Sequence, residues 1–406
     1  MTAAVFFIIL VKTCCLNQRF YSLDVFRGAT VALMILVNNP GSWAHIYSPL
    51  GHAKWHGATP TDLVFPFFLF AVGNAMAFVI PRLQQAGQGV FLKKVFKRTL
   101  LIFAIGLFLN WSPFVRWSGE SLVPKPWVDS NNPDSGIRIL GVLQRIALSY
   151  FFASFIVYYF KIRGAFVAAF LMLTGYWMLC LLLGAPGDPY SMEGYIGTAV
   201  DKAILGVAHM YKGEGRPFDP EGMLSTITSI VQVIFGYLVG HYIQAKGKTY
   251  EMLSNLFVAG ALLVFTGLCW DLVFPVNKKI WTSSFVLYTS GLAIIVLSIL
   301  IYLIEFRNAR GAWSRFFDVF GKNPLFIFVL SGFLPRVLAL LRWEDHVDPE
   351  TGKIVYTSAL PWFYEHICKP VSDNLKNGSL LYALCMIAFY WSIVYWMDKK
   401  RIYIKV

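Results

Sequence analysis

Apolar runs long enough to cross a bilayer recur along almost the whole chain. Short basic turns separate them on one side and longer polar loops on the other. A run of about 18 or more apolar residues reads as a transmembrane helix. Spans can be drawn at 24–44, 61–81, 95–112, 137–160, 164–184, 222–244, 251–271, 281–304, 316–340 and 379–397. The runs do not alternate in short strands, which argues against a membrane β-barrel. The pattern predicts an all-α polytopic membrane protein with about ten transmembrane helices and long extracytoplasmic loops. No internal repeat or linker divides the runs, so residues 21–406 read as one transmembrane domain. Residues 1–20 stand apart. Their apolar core, about ten residues, is too short to span the hydrocarbon, and no basic stretch precedes it as in a signal peptide.

Composition supports this picture: 57% of residues are hydrophobic and 14% charged, against roughly 25% charged in soluble domains. The net charge is +13. In a soluble protein that would suggest nucleic acid, but here Lys and Arg mark span ends and form no separate basic domain. They fall at Arg82, Lys93, Lys94, Lys97 and Arg98, at Lys161 and Arg163, at Lys246 and Lys248, at Arg307, Arg310 and Arg315, and in the final "DKKRIYIKV". With ten spans these all share one face, and the positive-inside rule assigns that face and both termini to the cytoplasm. With no targeting sequence read, a bacterial inner membrane is the expected location. The opposite face carries loops at 112–136, 185–221 and 341–378, and long structured loops usually carry function.

Polar residues inside or beside spans cost free energy and so are candidates for chemistry. Asp24 and Arg27 lie three apart near the inner end of the first span, and Asn38 lies at its outer end. Asp62 follows Pro60 at the start of the second span, where an acid also simply suits the helix dipole. Gln144 and Arg145 fall well inside the expected fourth span, and the planar fork of Arg145 matches a phosphate. Asp219 and Glu221 are outer acids; Asn277 and Lys278 stand in the outer "FPVNKKIW". His52 and His56 sit four apart, but the HExxH zinc signature is missing and no CxxC pair exists among the cysteines, so no metal site is expected.

The segments "SLDVFRGATVALMILVNN", "GHAKWHGATPTDLVFPFFLFAVGNAM", "GVLQRIALSYF", "FDPEGMLSTITSIVQVIFGYLVG" and "PVNKKIWTSSFVL" occur in an order that resembles the transmembrane domain of the heparan-α-glucosaminide N-acetyltransferase family. They cover most of residues 20 to 400. The resemblance implies transfer of acetyl from cytoplasmic acetyl-CoA to an extracytoplasmic amino sugar. It implies that His52 is the key histidine, because His52-Ala53-Lys54-Trp55-His56-Gly57 matches H-A-x-W-x-G and puts His56 at a variable position. Asn38 and Asp62 match the family's V-N and D-L-V-F-P segments.

The expected roles are His52 as base or acetyl carrier, Asp62 orienting its ring and Asn38 donating to the oxyanion. Arg27, Asp24, Gln144 and Arg145 are expected on the acetyl-CoA path. His56, Trp55, Asp219, Glu221, Asn277 and Lys278 are expected around the acceptor. The loop between Asn38 and His52 is a few residues longer than in the lysosomal pattern, and that enzyme's large luminal N-terminal domain is not expected here. Expected partners are membrane lipid, acetyl-CoA and the sugar acceptor, with a homodimer left open and no nucleic acid. The residues themselves also allow an O-acetyltransferase of envelope polysaccharide, or a sugar or anion transporter.

Overall fold

The computed structural model describes residues 20–350 and 352–404. The expectation for residues 1–20 therefore lies almost wholly outside the described residues. The chain is mostly helical, with α1 Tyr21–Asn38, α2 Val64–Ala86 behind a 3-10 turn at Pro60–Leu63, α3 Gln88–Trp111, α4 Val142–Leu183, α5 Ile196–Leu205, α6 Thr226–Lys246, α7 Tyr250–Asp271, α8 Ser283–Ile301, α9 Ala312–Lys322, α10 Pro324–Leu338, α11 Ala359–Phe363 and α12 Leu375–Lys399. The loops form small antiparallel hairpins: β1 Val115–Ser118 with β2 Ser121–Pro124, β3 Val128–Asp129 with β4 Asn132–Gly136, and β5 Arg342–Val347 with β6 Ile354–Ser358.

Among the described residues seven helices are long and apolar enough to cross a membrane, or eight if the bent pair α9–α10 counts as one span. Each expected span lies on a helix, and the lower number has local causes. Expected spans four and five share α4, which Lys161 breaks with φ of 55° and ψ of −161°. The third expected span lies on α3, whose first half carries Lys93, Lys94, Lys97 and Arg98. The ninth is bent by 78° between α9 and α10. That bend has a simple cause: Pro324 disfavours the α conformation at Asn323, which sits at φ −128° and ψ 49°.

Two boundary expectations are corrected. The first span ends at Asn38, not near residue 44, because Asn39 leaves the helical region and Pro40 cannot continue it. The fourth begins at Val142, after Gly141 at φ 170°, so Gln144 and Arg145 occupy its first turn and are not deep within it.

Two apolar cores meet along α1. Phe26 belongs to one, with Phe67, Phe70, Ile234 and Phe285. Val31, Met34, Ile35 and Val37 belong to the other, with Phe320, Ile327 and Tyr390. Close helix contacts are made through small residues, as is common where lipid gives no hydrophobic drive between helices. A Cβ on Gly73 of α2 would lie 2.0 Å from the Val233 carbonyl oxygen, and one on Gly236 of α6 would lie 2.1 Å from that of Phe70. One on Gly28 of α1 would lie 1.7 Å from the Phe317 carbonyl oxygen of α9. These contacts fix α2 against α6 and α1 against α9.

Gly73→Ala should therefore force α2 and α6 apart at a cost of about 1–3 kcal/mol. Thermal unfolding of the protein in detergent should show a lower midpoint. An unchanged midpoint would mean that this interface is looser than described.

Candidate active site

Thr59-Pro60-Thr61-Asp62 is a helix-start sequence. Thr59 caps in an extended conformation, Pro60 takes the first helical position, and Asp62 stands where a carboxylate reaches back to the cap N–H. Thr59 N donates to Asp62 Oδ2 at 3.0 Å. The carboxylate does more than cap its helix. It is 1% exposed. Ala53 N also donates to Oδ2 at 3.0 Å. On the other oxygen, His52 Nδ1 stands 2.6 Å from Oδ1 and Lys278 Nζ 3.2 Å from it.

His52 Nδ1 also lies 3.1 Å from Lys278 Nζ, and it cannot donate to one and accept from the other. The shorter contact decides. An ionised carboxylate only accepts, so the proton sits on Nδ1 and points at Asp62, while Lys278 donates to Asp62 Oδ1. In its neutral form the ring is then the Nδ1–H tautomer, with its lone pair on Nε2. Among the described residues nothing hydrogen-bonds to that nitrogen. His52 is about two-fifths exposed.

The loop carrying His52 is held at both ends. Thr59 Oγ1 donates to the Gly51 carbonyl at 2.7 Å and Thr61 Oγ1 to that of Pro49 at 3.1 Å. Gly57 adopts φ of 94°, open to glycine but strained for other residues, and its N–H meets the Val276 carbonyl at 2.7 Å. That contact brings the 272–282 segment alongside. Asn277, fully buried, accepts from Lys279 N at 2.8 Å and Ile280 N at 3.1 Å. It shapes the turn that presents Lys278. Burial lowers the Lys278 pKa, and Asp62 opposes that effect.

A cavity of about 200 Å³ opens beside this pair. Asn38, His52, Glu221 and Lys278 line it, with Met34, Phe65, Phe68, Ile146 and Phe328 forming its apolar walls. Asn38 is exposed to it, and its side chain has no hydrogen bond to any described residue. Glu221 is held by Arg138, whose Nη2 donates to Glu221 Oε2 and whose Nε donates to Asp219 Oδ2 at 3.0 Å. Burial works against the Arg138 charge, but Glu221 and Asp219 outweigh it and raise its pKa. Arg145, fully buried, donates to the Gly222 carbonyl at 3.1 Å and to Ser225 Oγ, and lies over the Trp281 ring at 5.1 Å.

A second, larger cavity of about 990 Å³ lies at the other end of α1 and α2. Arg27, Arg82, Arg310 and Lys322 face it, with Asp24, Asp318, Asn74 and several aromatic rings. Arg27 Nη2 donates to Asp24 Oδ1 at 2.9 Å and its Nε to the Gly321 carbonyl at 2.8 Å. Glu305 accepts from Arg310 at 3.2 Å, from Lys248 at 2.6 Å and from Ser22 N at 3.1 Å. It thus ties the cavity rim to the start of α1. Arg27 and Asn38 are eleven residues apart on one helix, about 17 Å at 1.5 Å per residue. On α2 their lining residues come within three positions of each other: Phe68 lines one cavity and Ala71 the other.

The expected residues divide accordingly. His52, Asp62, Asn38, Glu221 and Lys278 come together at the loop end, with Asp219 behind Glu221. Asp24 and Arg27 stand in the basic cavity. Gln144 and Arg145 do not join them: Gln144 Nε2 donates to the Ile139 carbonyl at 2.8 Å, and Arg145 braces the 222–225 turn. His56 lies 3.4 Å from Asn277 Nδ2, with its pKa lowered by burial. Trp55 donates to the Tyr190 carbonyl at 2.9 Å and packs edge-on to Phe218 at 5.5 Å. Neither lines the cavity. Sequence reasoning missed Arg138, Arg82 and Glu305. Arg138 stands at the very start of the expected fourth span and reads as an end anchor. Only its nearness in space to the "FDPEG" acids reveals its pairing.

No family model matches the chain. It is similar to heparan-alpha-glucosaminide N-acetyltransferase of Homo sapiens, 27% identical over 404 residues and 84% of this chain. The Mus musculus protein of the same name is 26% identical over 402 residues, again 84% of this chain. The chain spans 58% of the length of these curated relatives. The resemblance read from its motifs is borne out at that level.

Asp62→Ala would leave two backbone N–H groups and a largely buried ammonium without their acceptor. The expected destabilisation is about 3–5 kcal/mol, read as a lower thermal midpoint in detergent. Lys278→Met added to Asp62→Ala should recover part of it by removing the orphaned cation. A double variant that melts no higher than Asp62→Ala would contradict the pairing.

Proposed function

We propose that this chain is an integral membrane acyltransferase that moves an acetyl group from acetyl-CoA to an amino sugar on the opposite side of the membrane. One observation carries the reading: His52, fixed by buried Asp62 with Nε2 unpaired, borders a cavity that lies along the same two helices as a basic cavity at their far end. A transferase across a membrane needs such a division between donor and acceptor. In this reading residues 21–406 form one acyltransferase domain crossing the membrane ten times. The basic end and both termini are cytoplasmic, in a bacterial inner membrane.

His52 Nε2 takes the proton of the attacking group or carries the acetyl group briefly. Asp62 holds the Nδ1 proton and stabilises the imidazolium that forms. The Asn38 amide donates a hydrogen bond to the developing oxyanion. Lys278 keeps Asp62 ionised. In the basic cavity Arg27, set by Asp24, works with Arg82, Arg310 and Lys322 to bind phosphate groups, for which guanidinium forks are suited. The volume and the cation set fit the head of acetyl-CoA, which supplies the activated thioester. Glu221, with Asp219 behind it, faces the acceptor. Trp55, His56 and Asn277 shape the acceptor loop from outside the cavity, and Arg145 and Gln144 serve the loop end.

His52→Ala should lower acetyl transfer from labelled acetyl-CoA to glucosamine about 100-fold or more, while His56→Ala stays within about tenfold of the unaltered protein. Full activity in His52→Ala would end this mechanism. Transfer that prefers a hydroxyl sugar to glucosamine would redirect it to O-acetylation. Arg27→Ala and Arg310→Ala should raise KM for acetyl-CoA and leave that for the sugar unchanged. The reverse pattern would move the donor out of the basic cavity.

A further inference from the structure

Transfer to an amine has a proton balance that a single histidine does not close. At neutral pH an amino sugar arrives as an ammonium, which has three N–H bonds and no lone pair to attack with. The product amide has one N–H. The thioester C–S bond breaks, the C–N bond forms, and the sulfur leaves as a thiolate that becomes a thiol. Two protons therefore leave nitrogen: one ends on sulfur, and the other must reach solvent before the amine can attack. A hydroxyl acceptor loses only one proton, which ends on sulfur, so one base suffices for it.

Glu221 is the carboxylate lining the cavity that His52 borders. Its Oε2 is engaged by Arg138. Among the described residues Oε1 takes no hydrogen bond. The backbone beneath it is fixed from both sides. Glu221 N donates to Asp219 Oδ1 at 3.0 Å, and Arg145 holds the Gly222 carbonyl at 3.1 Å. A carboxylate so braced keeps one oxygen in place for a cationic guest. At 13% side-chain exposure it is not sealed from solvent, to which a proton can leave.

We propose that Glu221 captures the acceptor's ammonium and takes its first proton, leaving His52 to move the second. The proposal rests on the acetyltransferase reading and deepens it: the second proton acceptor makes the site selective for amines over hydroxyls. His52 and Glu221 act in sequence on one nitrogen. Arg138 and Arg145 are positioning residues that act through Glu221.

The test compares unaltered full-length protein with Glu221→Gln, using glucosamine and glucose as probes. Without acetyl-CoA, glucosamine should bind the unaltered protein more tightly than glucose at about pH 6, and Glu221→Gln should abolish that preference. With acetyl-CoA, Glu221→Gln should lower kcat/KM for glucosamine about 100-fold at about pH 6 and only a few-fold at about pH 9, where the sugar arrives as the free amine. Glu221→Asp keeps the charge and should retain part of the low-pH activity. If the Gln variant does not fold, the Asp variant carries the test with a weaker loss of the same pH dependence. A loss of equal size at every pH, or an unchanged preference for glucosamine, would overturn the role of Glu221 alone. If the unaltered protein transfers acetyl to neither sugar, the acetyltransferase reading fails and this proposal with it.

Discussion

A single buried carboxylate organises the loop end of this molecule. Asp62 takes hydrogen bonds from its own helix cap at Thr59 N, from the loop at Ala53 N, from the His52 ring, and from Lys278 on a segment more than two hundred residues away. An ionised carboxylate placed so deeply is costly unless each lone pair is used. That requirement couples three parts of the chain. The loop must fold back to deliver Ala53 N, the imidazole must offer Nδ1–H, and the 272–282 turn must approach closely enough for Lys278 to reach. The consequence for chemistry is the tautomer: with the proton committed to Asp62, the basic nitrogen of His52 is the one left open.

The second constraint is geometric. α1 lies at the seam of two apolar cores, and both cavities open along it. Close glycine contacts hold α2 to α6 and α1 to α9 without bulky side chains between them. On α2 about a turn, from Phe68 to Ala71, separates the residues lining the two cavities. On the proposed reading a long donor with a polyanionic head lies along this seam, head among the arginines and thioester near the imidazole. Only the acetyl group then needs to change sides.

Much of this was legible in the sequence, because hydropathy sets span positions and helix-start chemistry is local. Every expected span falls on a helix, and Thr59-Pro60-Thr61-Asp62 announces its own cap. What sequence could not show was partnership at a distance. Lys278 reads as one of two adjacent lysines at a span end, and nothing local marks which will reach Asp62. Arg145 reads as a deep intramembrane arginine until Gly141 is seen to delay the helix. It then becomes a first-turn residue bracing a loop. Asp24 and Arg27, three apart on one helix, were legible as a pair. Their neighbours Arg82, on α2, and Arg310, in the turn before α9, meet only in the folded chain. The hairpins were not foreseen either, since their strands are two to six residues long and carry little periodicity.

The central claim is that donor and histidine meet along α1. A cryo-electron microscopy structure of the full-length protein with bound acetyl-CoA tests this most directly. The account predicts the phosphates among Arg27, Arg82, Arg310 and Lys322, with the thioester carbonyl beside His52 Nε2 and its oxygen within hydrogen-bond reach of Asn38. A thioester held elsewhere, or an adenosine head seated among the loop-end residues Asn38, Glu221 and Lys278, would contradict it.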